Sequence, residues 1–427
     1  MTEQTDQARQ PEARNGPRIY LLDVTNRDAV QTSRICLSKF QKTMVNWYLS
    51  QMGIHQAEIG FPDYKHETNY INANVQLAAQ GVYGGMVISG WTPATADLVR
   101  RGLWQTTIRN LNISVSTSRI MTEGKFGDRM NRDDVIRMMT EAVDEAVHHG
   151  VELLGVNAED ASRTDETPDE DYLLQFAKAA VEHGAHRIRY CDTLGFDRTH
   201  TIYDAVYRLA KELQVPIELH CHNDIGYAVA NSVEGAMGAI DAGVDAYING
   251  TINGMGERAG NADLVSVILA LRKSRGIKEH HILDERVDLT KSWRICNYVA
   301  DAFGVPIPIN QVGVGANAFA HESGIHADGV LKDRHNYELY SPEELGRTED
   351  AERRAPVGRV ITTGEYGGRK GMRHVCDQLG IEVFDEDEML ELIMAANAHN
   401  QMPLTPDEIR FIAAHPVEVR RILSLPT

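Results

Sequence analysis

Short β-rich runs alternate with longer amphipathic segments along most of this chain, and no other feature limits its possible folds so strongly. Eight runs rich in apolar and β-branched residues lie at 18–25, 56–61, 85–90, 112–117, 153–157, 187–192, 216–222 and 246–250. Helix-length segments separate them, including 34–52, 132–149, 171–183 and 203–213. Eight strands, each followed by a helix, within about 250 residues are typical of a (β/α)8 barrel. We therefore predict an α/β fold of the TIM barrel type.

A doubly wound open sheet is the alternative fold for such an alternation. A dinucleotide-binding sheet of that kind carries G-x-G-x-x-G after its first strand, whereas this chain reads Asn26-Arg27-Asp28 there. The barrel is therefore the preferred prediction.

The chain has 427 residues, which is more than a single barrel needs. We predict four parts: a disordered polar tail at 1–16, the barrel at 17–283, a subdomain at 284–364 and a helical region at 365–427. Helices are expected near 284–302, at 385–397 and at 405–414, the last with Pro406 in its first turn. The predicted fold is thus a barrel followed by a smaller, mainly helical C-terminal subdomain.

Charge and cysteine content exclude several classes of protein. A formal net charge of −18 argues against nucleic acid or an anionic membrane as the main partner, because either would require a basic surface. The 5 cysteines are scattered and form no C-x-x-C pair, so neither a disulfide framework nor a zinc knuckle is predicted. No apolar run reaches the roughly 18 residues of a membrane span, and the N-terminal segment lacks the apolar part of a signal peptide. These observations indicate a cytoplasmic protein.

The run at 216–222 ends in two histidines, His220 and His222, that could bind a metal ion. Side chains alternate along a strand, so both imidazoles and Glu218 point to one face. An isolated His-x-His is more often a pair of ordinary core or loop histidines, and alone it predicts little. Asp28, after the first strand, adds a carboxylate oxygen if the barrel brings the strand ends together. Nitrogen and oxygen donors together suit Mn, Zn, Co, Fe or Mg better than copper or iron–sulfur chemistry.

Polar residues follow each of the eight predicted strands, at the end of a barrel where active sites lie. They are Asn26 to Asp28, Glu58, Ser89, Ser116 with Ser118, Asn157 with Glu159 and Asp160, Asp192 with Thr193, the two histidines, and Asn249 to Asn253. Single members have ordinary explanations, since Ser118 or Asn249 could be a cap or turn former, and Arg27 with Asp28 a salt-bridged loop pair. Their convergence at one end of the barrel favours an active site.

Three segments at or beside these strand ends resemble motifs of the metal-dependent acyl-CoA condensing barrels. That family includes the 2-isopropylmalate, homocitrate, Re-face citrate and phosphonomethylmalate synthases, with hydroxymethylglutaryl-CoA lyase as a more distant relative. The segments are Asn26-Arg27-Asp28 with Gln31, His220-Cys-His222-Asn-Asp224, and Gly254-Met-Gly-Glu-Arg-Ala-Gly-Asn261. The resemblance runs from about Arg18 to about Gly346. The glycine that usually follows the Arg-Asp pair is Ala29 here, which could alter the loop but removes no ligand.

The resemblance implies a divalent metal ion, Mn, Co, Mg or Zn, with four protein ligands: Asp28, His220, His222 and Asn261. It places Arg27 beside the substrate carbonyl. It also matches Glu58, Glu159 and Thr193 to active-site positions of the family, of which Glu58 and Thr193 would contact substrate.

The segment 320–342 resembles the subdomain that, in the synthases, reaches into the active site of the neighbouring subunit. The resemblance implies a domain-swapped homodimer in which His326 and Tyr337 assist proton transfer. His321 is predicted to be an ordinary residue on a helix surface. The lyase relative carries a cysteine in the loop after the eighth strand, whereas residues 249–261 contain none, which favours condensation over cleavage.

We therefore predict an acyltransferase that condenses acetyl-CoA with a small 2-oxo acid in a metal-dependent Claisen reaction. The metal ion would polarise the keto carbonyl, with Arg27 as a second donor to the same oxygen. Glu159, with His326 and Tyr337, would remove the methyl proton of acetyl-CoA. Hydrolysis of the thioester would then release CoA and a 2-alkylmalate or citrate-like acid.

The acceptor is the least constrained part of this prediction. Arg119 could bind a second anionic group, as could Arg163 or Arg189, although each is more often an ordinary salt bridge. An acidic acceptor such as oxaloacetate, phosphonopyruvate or phosphinopyruvate is preferred, followed by 2-oxoglutarate. The alternatives are 2-isopropylmalate synthesis from 2-oxoisovalerate, a metal-dependent 3-hydroxyacyl-CoA lyase, and a metal-stabilised scaffold barrel without turnover.

Overall fold

The structure is a computed structural model that describes residues 16–425 except 166, 168–169, 348–357 and 365. The chain divides into two compact units. One comprises the residues up to Asp288 together with Ala302–Gly304, and the other comprises Leu289–Asp301 and the residues from Val305 onward. The tail predicted at 1–16 lies outside the described residues, apart from Gly16.

The first unit is a closed barrel of eight parallel strands. The strands are β1 Ile19–Asp23, β2 Gln56–Glu58, β3 Val87–Pro93, β4 Asn110–Ser116, β5 Leu153–Glu159, β6 Arg187–Asp192, β7 Ile217–Cys221 and β8 Ala246–Gly250. They follow one another around the barrel in sequence order, and β8 pairs with β1 to close it. Each predicted run overlaps one strand, and the predicted (β/α)8 fold is confirmed.

Helices connect the strands, and side-chain caps set where several of them begin. They are α1 Lys39–Gln51, α2 Thr68–Ala79, α3 Ala96–Gln105, α4 Arg119–Phe126, α5 Arg132–His148, α6 Tyr172–His183, α7 Thr199–Leu213, α8 Ala228–Asp241 and α9 Leu264–Lys273. The Ser38 hydroxyl accepts a hydrogen bond from the Gln41 N–H, and the Gln41 side chain accepts one from the Ser38 N–H. This reciprocal cap starts α1 at Lys39, so the predicted start at residue 34 was wrong.

Side-chain alternation along β7 separates the outer face of the barrel from its interior. A Cβ atom added at Gly235 of α8 would lie 2.7 Å from the side chain of Leu219, which therefore points outward. Glu218 accepts a hydrogen bond from Asn112 of β4 at 3.1 Å, across the interior. The prediction that Glu218 and Leu219 face opposite ways is confirmed.

The second unit is mainly helical and has its own apolar core. It contains α10 Ser292–Phe303, β9 Ala320–His321, α11 Gly324–Lys332, β10 Val360–Ile361, α12 Arg369–Gln378, α13 Glu386–Asn400, α14 Pro406–Ala414 and α15 Pro416–Ile422. Met372, Cys376, Leu392, Ile393 and Ile409 belong to one buried cluster between the last four helices. This arrangement confirms the predicted helical C-terminal part.

His321 differs from the prediction. It lies in the short strand β9, which pairs in parallel with β10, and its side chain is buried. Its Nε2 atom lies 3.1 Å from Oε1 of Glu338, and Arg359 donates two hydrogen bonds to the same carboxylate. The prediction that His321 lies on a helix surface was therefore wrong. Its ring is buried because the carboxylate of Glu338 provides a partner, and the spacing of residues in the sequence does not reveal that partner.

Within the part of the chain that the structure describes, no helix is long and apolar enough to cross a membrane.

Candidate active site

The barrel brings Asp28, His220 and His222 together at the carboxyl ends of β1 and β7. Their possible ligand atoms all lie within 4.8 Å of one another, and all three side chains are buried. Oδ2 of Asp28 lies 3.4 Å from Nε2 of His220 and 3.9 Å from Nε2 of His222. Since β8 lies between β7 and β1, closure of the barrel is what places the carboxylate beside the imidazoles.

Asn261 joins this cluster from the loop that follows β8. Its Nδ2 donates a hydrogen bond of 2.7 Å to Oδ2 of Asp28, and its backbone forms an isolated bridge with His222. Gly254 and Gly260 make the loop possible, because both have positive φ angles and a Cβ atom at Gly260 would lie 2.0 Å from the carbonyl oxygen of Gly254. The four predicted metal ligands are thus neighbours in space.

The donors in this cluster fit a divalent metal ion. Nδ1 of His220, Nδ1 of His222 and Oδ1 of Asn261 are buried and have no hydrogen-bond partner among the described residues. The Nε2 atoms of both histidines face Oδ2 of Asp28, and since buried polar atoms are usually paired, the unpaired Oδ1 of Asn261 is available to a further partner. One carboxylate, two imidazoles and one amide form a mixed nitrogen and oxygen set that Mn, Co, Mg or Zn can accept.

Electrostatics hold these groups in the protonation states that metal binding requires. Burial would raise the pKa of Asp28, but the Arg27 guanidinium and a hydrogen bond with His220 outweigh burial and hold this pKa well below its usual range. Burial lowers the pKa of His222 to about 3, with a further contribution from His220. Burial also lowers the pKa of His220. At neutral pH the carboxylate is therefore charged and the imidazoles are neutral.

Arg27 belongs to a line of buried charged residues that begins at Asp28 and runs through the barrel, and we call this line the charged ladder. Its members, in order of contact, are Asp28, Arg27, Glu58, Arg189, Glu218 and Arg187. Arg27 donates from Nη1 to Asp28 at 3.0 Å and from Nε to Glu58 at 2.9 Å. Its Nη2 has no hydrogen bond to a described residue, so one donor of the guanidinium is available beside the cluster.

Glu58 was predicted to contact substrate, and in the structure both of its carboxylate oxygens accept hydrogen bonds from arginines. Oε2 accepts from Arg27, and Oε1 accepts from Nη2 of Arg189 at 2.5 Å. Burial would raise the pKa of Glu58, but the two guanidinium groups outweigh burial and lower it. Glu58 is therefore a charged bridge between two arginines, and a substrate contact by its side chain remains a prediction.

Glu159 and Thr193 lie at the ends of neighbouring strands, β5 and β6. Glu159 accepts hydrogen bonds from Ser116 at 2.6 Å and from Nζ of Lys125 at 2.8 and 2.9 Å. The hydroxyl of Thr193 accepts from the backbone N–H of Asp160 at 2.9 Å. Lys125 had no predicted role, although a lysine in the helix that follows β4 could have suggested a partner for Glu159.

The three arginines considered for a second anionic group all have carboxylate partners. Nη2 of Arg119 lies 2.7 Å from Glu170 and the side chain is 46% exposed, whereas Arg163 pairs with Asp160 at 2.7 Å. Arg189 is fully buried within the charged ladder. Anion binding by Arg119 stays a prediction, and it would require exchange of the Glu170 contact. Ser118 caps α4 by accepting from the Met121 N–H, which confirms its ordinary explanation.

Arg258 is a second residue that sequence reasoning missed, although it lies inside the quoted motif 254–261. It adopts a positive φ of 54° and donates to both oxygens of Asp224 and to the carbonyl oxygen of Thr193. These contacts tie the loop after β8 to the loops after β6 and β7.

His326 and Tyr337 lie in the second unit, where their rings stack with centroids 4.1 Å apart. The Tyr337 side chain is 42% exposed, and His326 is also exposed. The two residues predicted to act together in proton transfer are thus adjacent and accessible.

Comparisons with known proteins agree with these observations. Residues 18–299 match the family described as HMGL-like, and residues 314–400 match the homocitrate synthase post-HMGL domain-like family. A citrate (Re)-synthase of Dehalococcoides mccartyi is 50% identical over 96% of this chain and 98% of its own length. 2-Isopropylmalate synthase 2 of Caldanaerobacter subterraneus is 35% identical over 88% of this chain and 89% of its own length. Homocitrate synthase 1 of Nostoc sp. is 30% identical over 92% and 96%.

Solved structures with a similar fold include hydroxymethylglutaryl-CoA lyases. The lyase of Bacillus subtilis matches with a TM-score of 0.53 at 17% identity, over 69% of this chain and 96% of the lyase. The lyase of Pseudomonas aeruginosa matches with a TM-score of 0.53 at 16% identity, again over 69% and 96%. At these identities the likeness supports the barrel fold only.

Proposed function

Because the chain belongs to the HMGL-like family, and to its condensing synthases that use acetyl-CoA and a 2-oxo acid, we propose that it condenses acetyl-CoA with oxaloacetate in a metal-dependent Claisen reaction. Acetyl-CoA, oxaloacetate and water would give citrate and free CoA. The observation that carries the proposal is the free Nη2 of Arg27 beside the cluster of Asp28, His220 and His222. The 50% identity to a protein named citrate (Re)-synthase supports oxaloacetate as the acceptor.

The charge of the ladder supports an acidic acceptor. The positive charges of its three arginines are balanced by the negative charges of its three carboxylates, so the ladder has no net charge. A divalent ion at Asp28 would leave two uncompensated positive charges in a buried region, and uncompensated buried charge is unfavourable. Oxaloacetate brings two negative charges, whereas 2-oxoisovalerate brings one.

Asp28, His220, His222 and Asn261 would hold the divalent ion, which when bound would supply Lewis acidity toward the keto oxygen of the acceptor. Arg27 would donate from Nη2 to that oxygen as negative charge develops on it, in a site from which water is largely excluded.

Glu159 is the proposed base for the methyl proton of acetyl-CoA. Its carboxylate is held in one orientation by Ser116 and Lys125, and it lies at the strand-end face of the barrel where the acceptor would bind. Removal of the proton gives the enolate carbon that attacks the keto carbon of oxaloacetate. Thr193 would contact the acceptor, and Arg119 would bind its second carboxylate in exchange for Glu170. Water then cleaves the thioester, which releases CoA.

A second copy of the chain would supply His326 and Tyr337. The loops and helix starts at the strand-end face of the barrel carry exposed apolar side chains, namely Phe40, Ile120, Phe196, Ile225 and Tyr227. In the second unit, Ile325 and Leu339 flank the stacked pair and are 75% and 69% exposed. Exposed apolar side chains grouped at one face of a protein can mark an interaction surface, and the segment 320–342 of a second copy is the proposed cover for the barrel.

The proposal is tested by measuring free CoA thiol with acetyl-CoA and a panel of 2-oxo acids, with added Mn2+ or with a chelator. Oxaloacetate should give the fastest release, followed by 2-oxoglutarate, and the chelator should abolish it. His222→Ala should also abolish release, whereas the exposed histidine variant His200→Ala should not. Faster turnover of 2-oxoisovalerate would refute the acceptor, and chelator-resistant turnover would refute the metal. Cleavage of a 3-hydroxyacyl-CoA without condensation would establish the lyase instead.

A further inference from the structure

Arg189 is a fully buried charged group near the active site, and no step of the proposed reaction assigns it a role. Its side chain is fully buried within the barrel. Nε donates to Glu218 at 2.6 Å and Nη2 donates to Glu58 at 2.5 Å, while Nη1 is buried without a hydrogen-bond partner among the described residues. The interior of such a barrel is usually filled with branched apolar residues, so an arginine at this depth requires an explanation.

Stability does not provide that explanation. Buried ion pairs often contribute no more to stability than apolar residues of similar volume, because desolvation offsets the attraction between the charges. What a bidentate contact does provide is a fixed geometry for the groups that it joins. Arg189 joins Glu218, which lies deeper in the barrel, to Glu58, which contacts Arg27.

Glu58 transmits this geometry to Arg27. Its two oxygens are divided between the two arginines, so its carboxylate plane is set by Arg189 on one side and sets the Arg27 guanidinium on the other. The other hydrogen bond of Arg27 goes to Asp28, a candidate metal ligand. Without Arg189, Glu58 could turn toward Arg27 alone, and the free Nη2 of Arg27 would lose its fixed direction.

We propose that Arg189 is a positioning residue for the proposed condensation: acting through Glu58, it orients Arg27 toward the oxygen of the acceptor. This inference rests on the proposed function and extends it to a residue that does not touch the substrate.

Arg187 provides a matched control. It is also buried and forms an ion pair with Glu218 at 3.0 Å, but its hydrogen bond goes to Gln56, and among the described residues it has no ion pair or hydrogen bond with Glu58. Arg187→Met and Arg189→Met each remove one buried guanidinium from Glu218. Only Arg189→Met also removes a partner from Glu58.

The experiment measures kcat and KM for oxaloacetate, the melting temperature, and the Mn2+ affinity by electron paramagnetic resonance in the full-length protein. Both variants should melt several degrees below the wild type. Arg189→Met should lower kcat by about 100-fold, the loss expected for a reacting group displaced by about 1 Å, with Mn2+ affinity little changed. KM for oxaloacetate should rise to a similar extent in both variants, because each removes one positive charge from the charged ladder. Arg187→Met should keep kcat within a factor of about three of the wild type, because Arg187 pairs with Glu218 and Gln56 and contacts neither Glu58 nor Arg27.

A double substitution tests the route through Glu58. If Arg189 acts through Glu58, adding Arg189→Met to Glu58→Gln should lower kcat no further than Glu58→Gln alone. Multiplicative losses would overturn the inference, as would equal kcat values for Arg187→Met and Arg189→Met. Should Arg189→Met fail to fold, Arg189→Lys serves in its place, since one ammonium group cannot reproduce the fork between the two carboxylates. A wild type without thiol release would overturn the proposed function itself, which is a different result.

Discussion

Gly256→Ala tests whether the Asn261 amide is a metal ligand, without removing that amide. A Cβ atom at Gly256 would lie 1.7 Å from Oδ1 of Asn261, so the amide must move by about 2 Å to reach an ordinary contact distance. Gly256 does not have a positive φ angle, so alanine causes no backbone strain there. The atom in its way is the end of a flexible side chain, and we expect the fold to survive with a small loss of stability.

The expected result is a weaker metal site in a folded protein. If Asn261 supplies one of four ligands, its displacement should raise the Kd for Mn2+ about 10- to 100-fold, which corresponds to about 1.4 to 2.8 kcal/mol. The assay is a Mn2+ titration followed by electron paramagnetic resonance, combined with the rise in melting temperature that saturating Mn2+ produces.

Gly124→Ala is the control, because a Cβ atom there meets nothing within 4 Å and the residue lies in α4. It should bind Mn2+ as the wild type does. Equal affinities for Gly256→Ala and Gly124→Ala would refute the assignment of Asn261 as a ligand, since the amide cannot remain in place beside a new methyl group.

Three further predictions concern charge and assembly. Arg27→Lys should lower kcat about 10²- to 10³-fold in the thiol-release assay, because an ammonium group cannot hold Glu58 and Asp28 and still donate to the acceptor; a rate close to that of the wild type would contradict this role. Burial raises the pKa of Asp23 to about 7, against the opposing effect of its hydrogen bonds from Thr25, so between about pH 4 and pH 7 the folded carboxyl keeps a proton that the unfolded chain releases. The free energy of unfolding should therefore fall as the pH rises through that window, by at most about 4 kcal/mol. Urea unfolding at pH 5 and pH 8 should show a smaller fall in this free energy for Asp23→Asn than for the wild type. Equal falls in the two proteins would mean that Asp23 is not the cause. Inactive His220→Ala and His326→Ala proteins, unfolded and refolded together, should recover about a quarter of the wild-type activity if a site takes residues from two copies, and a mixture that stays inactive would argue against the exchange.

The alternation of strand-like and helix-like segments in the sequence was sufficient to predict the barrel. The exact residue at which each element begins depends on local contacts and backbone angles. The run at 246–250 coincides with β8, because its apolar residues are bounded by turn residues on both sides. The strand predicted from residue 85 begins at Val87, since Gly84 and Gly85 both adopt positive φ angles in the preceding turn. Such conformations are allowed by glycine but not required by it, so the sequence alone does not fix the boundary.

In the candidate site, too, some contacts could be predicted from the sequence and others could not. Asp28, His220 and His222 could be predicted to meet because parallel strands of a closed barrel end at one face. The bridge from Arg189 to Glu58 could not, because 131 positions separate the two residues and alternation gives a facing direction without a partner. For this reason the sequence offered Arg189 as an anion-binding residue or an ordinary salt bridge, without indicating its partner.

The hydrogen bond between Asp28 and Asn261 has a consequence for the order in which the protein can become functional during synthesis. The two residues are 233 positions apart, and β8 must pair with β1 before they can meet. A growing chain therefore presents Asp28 long before its partners exist, and domains generally fold as units once they are complete. The centre can form only after residue 261 has left the ribosome, so any metal that it binds would be acquired by a finished barrel.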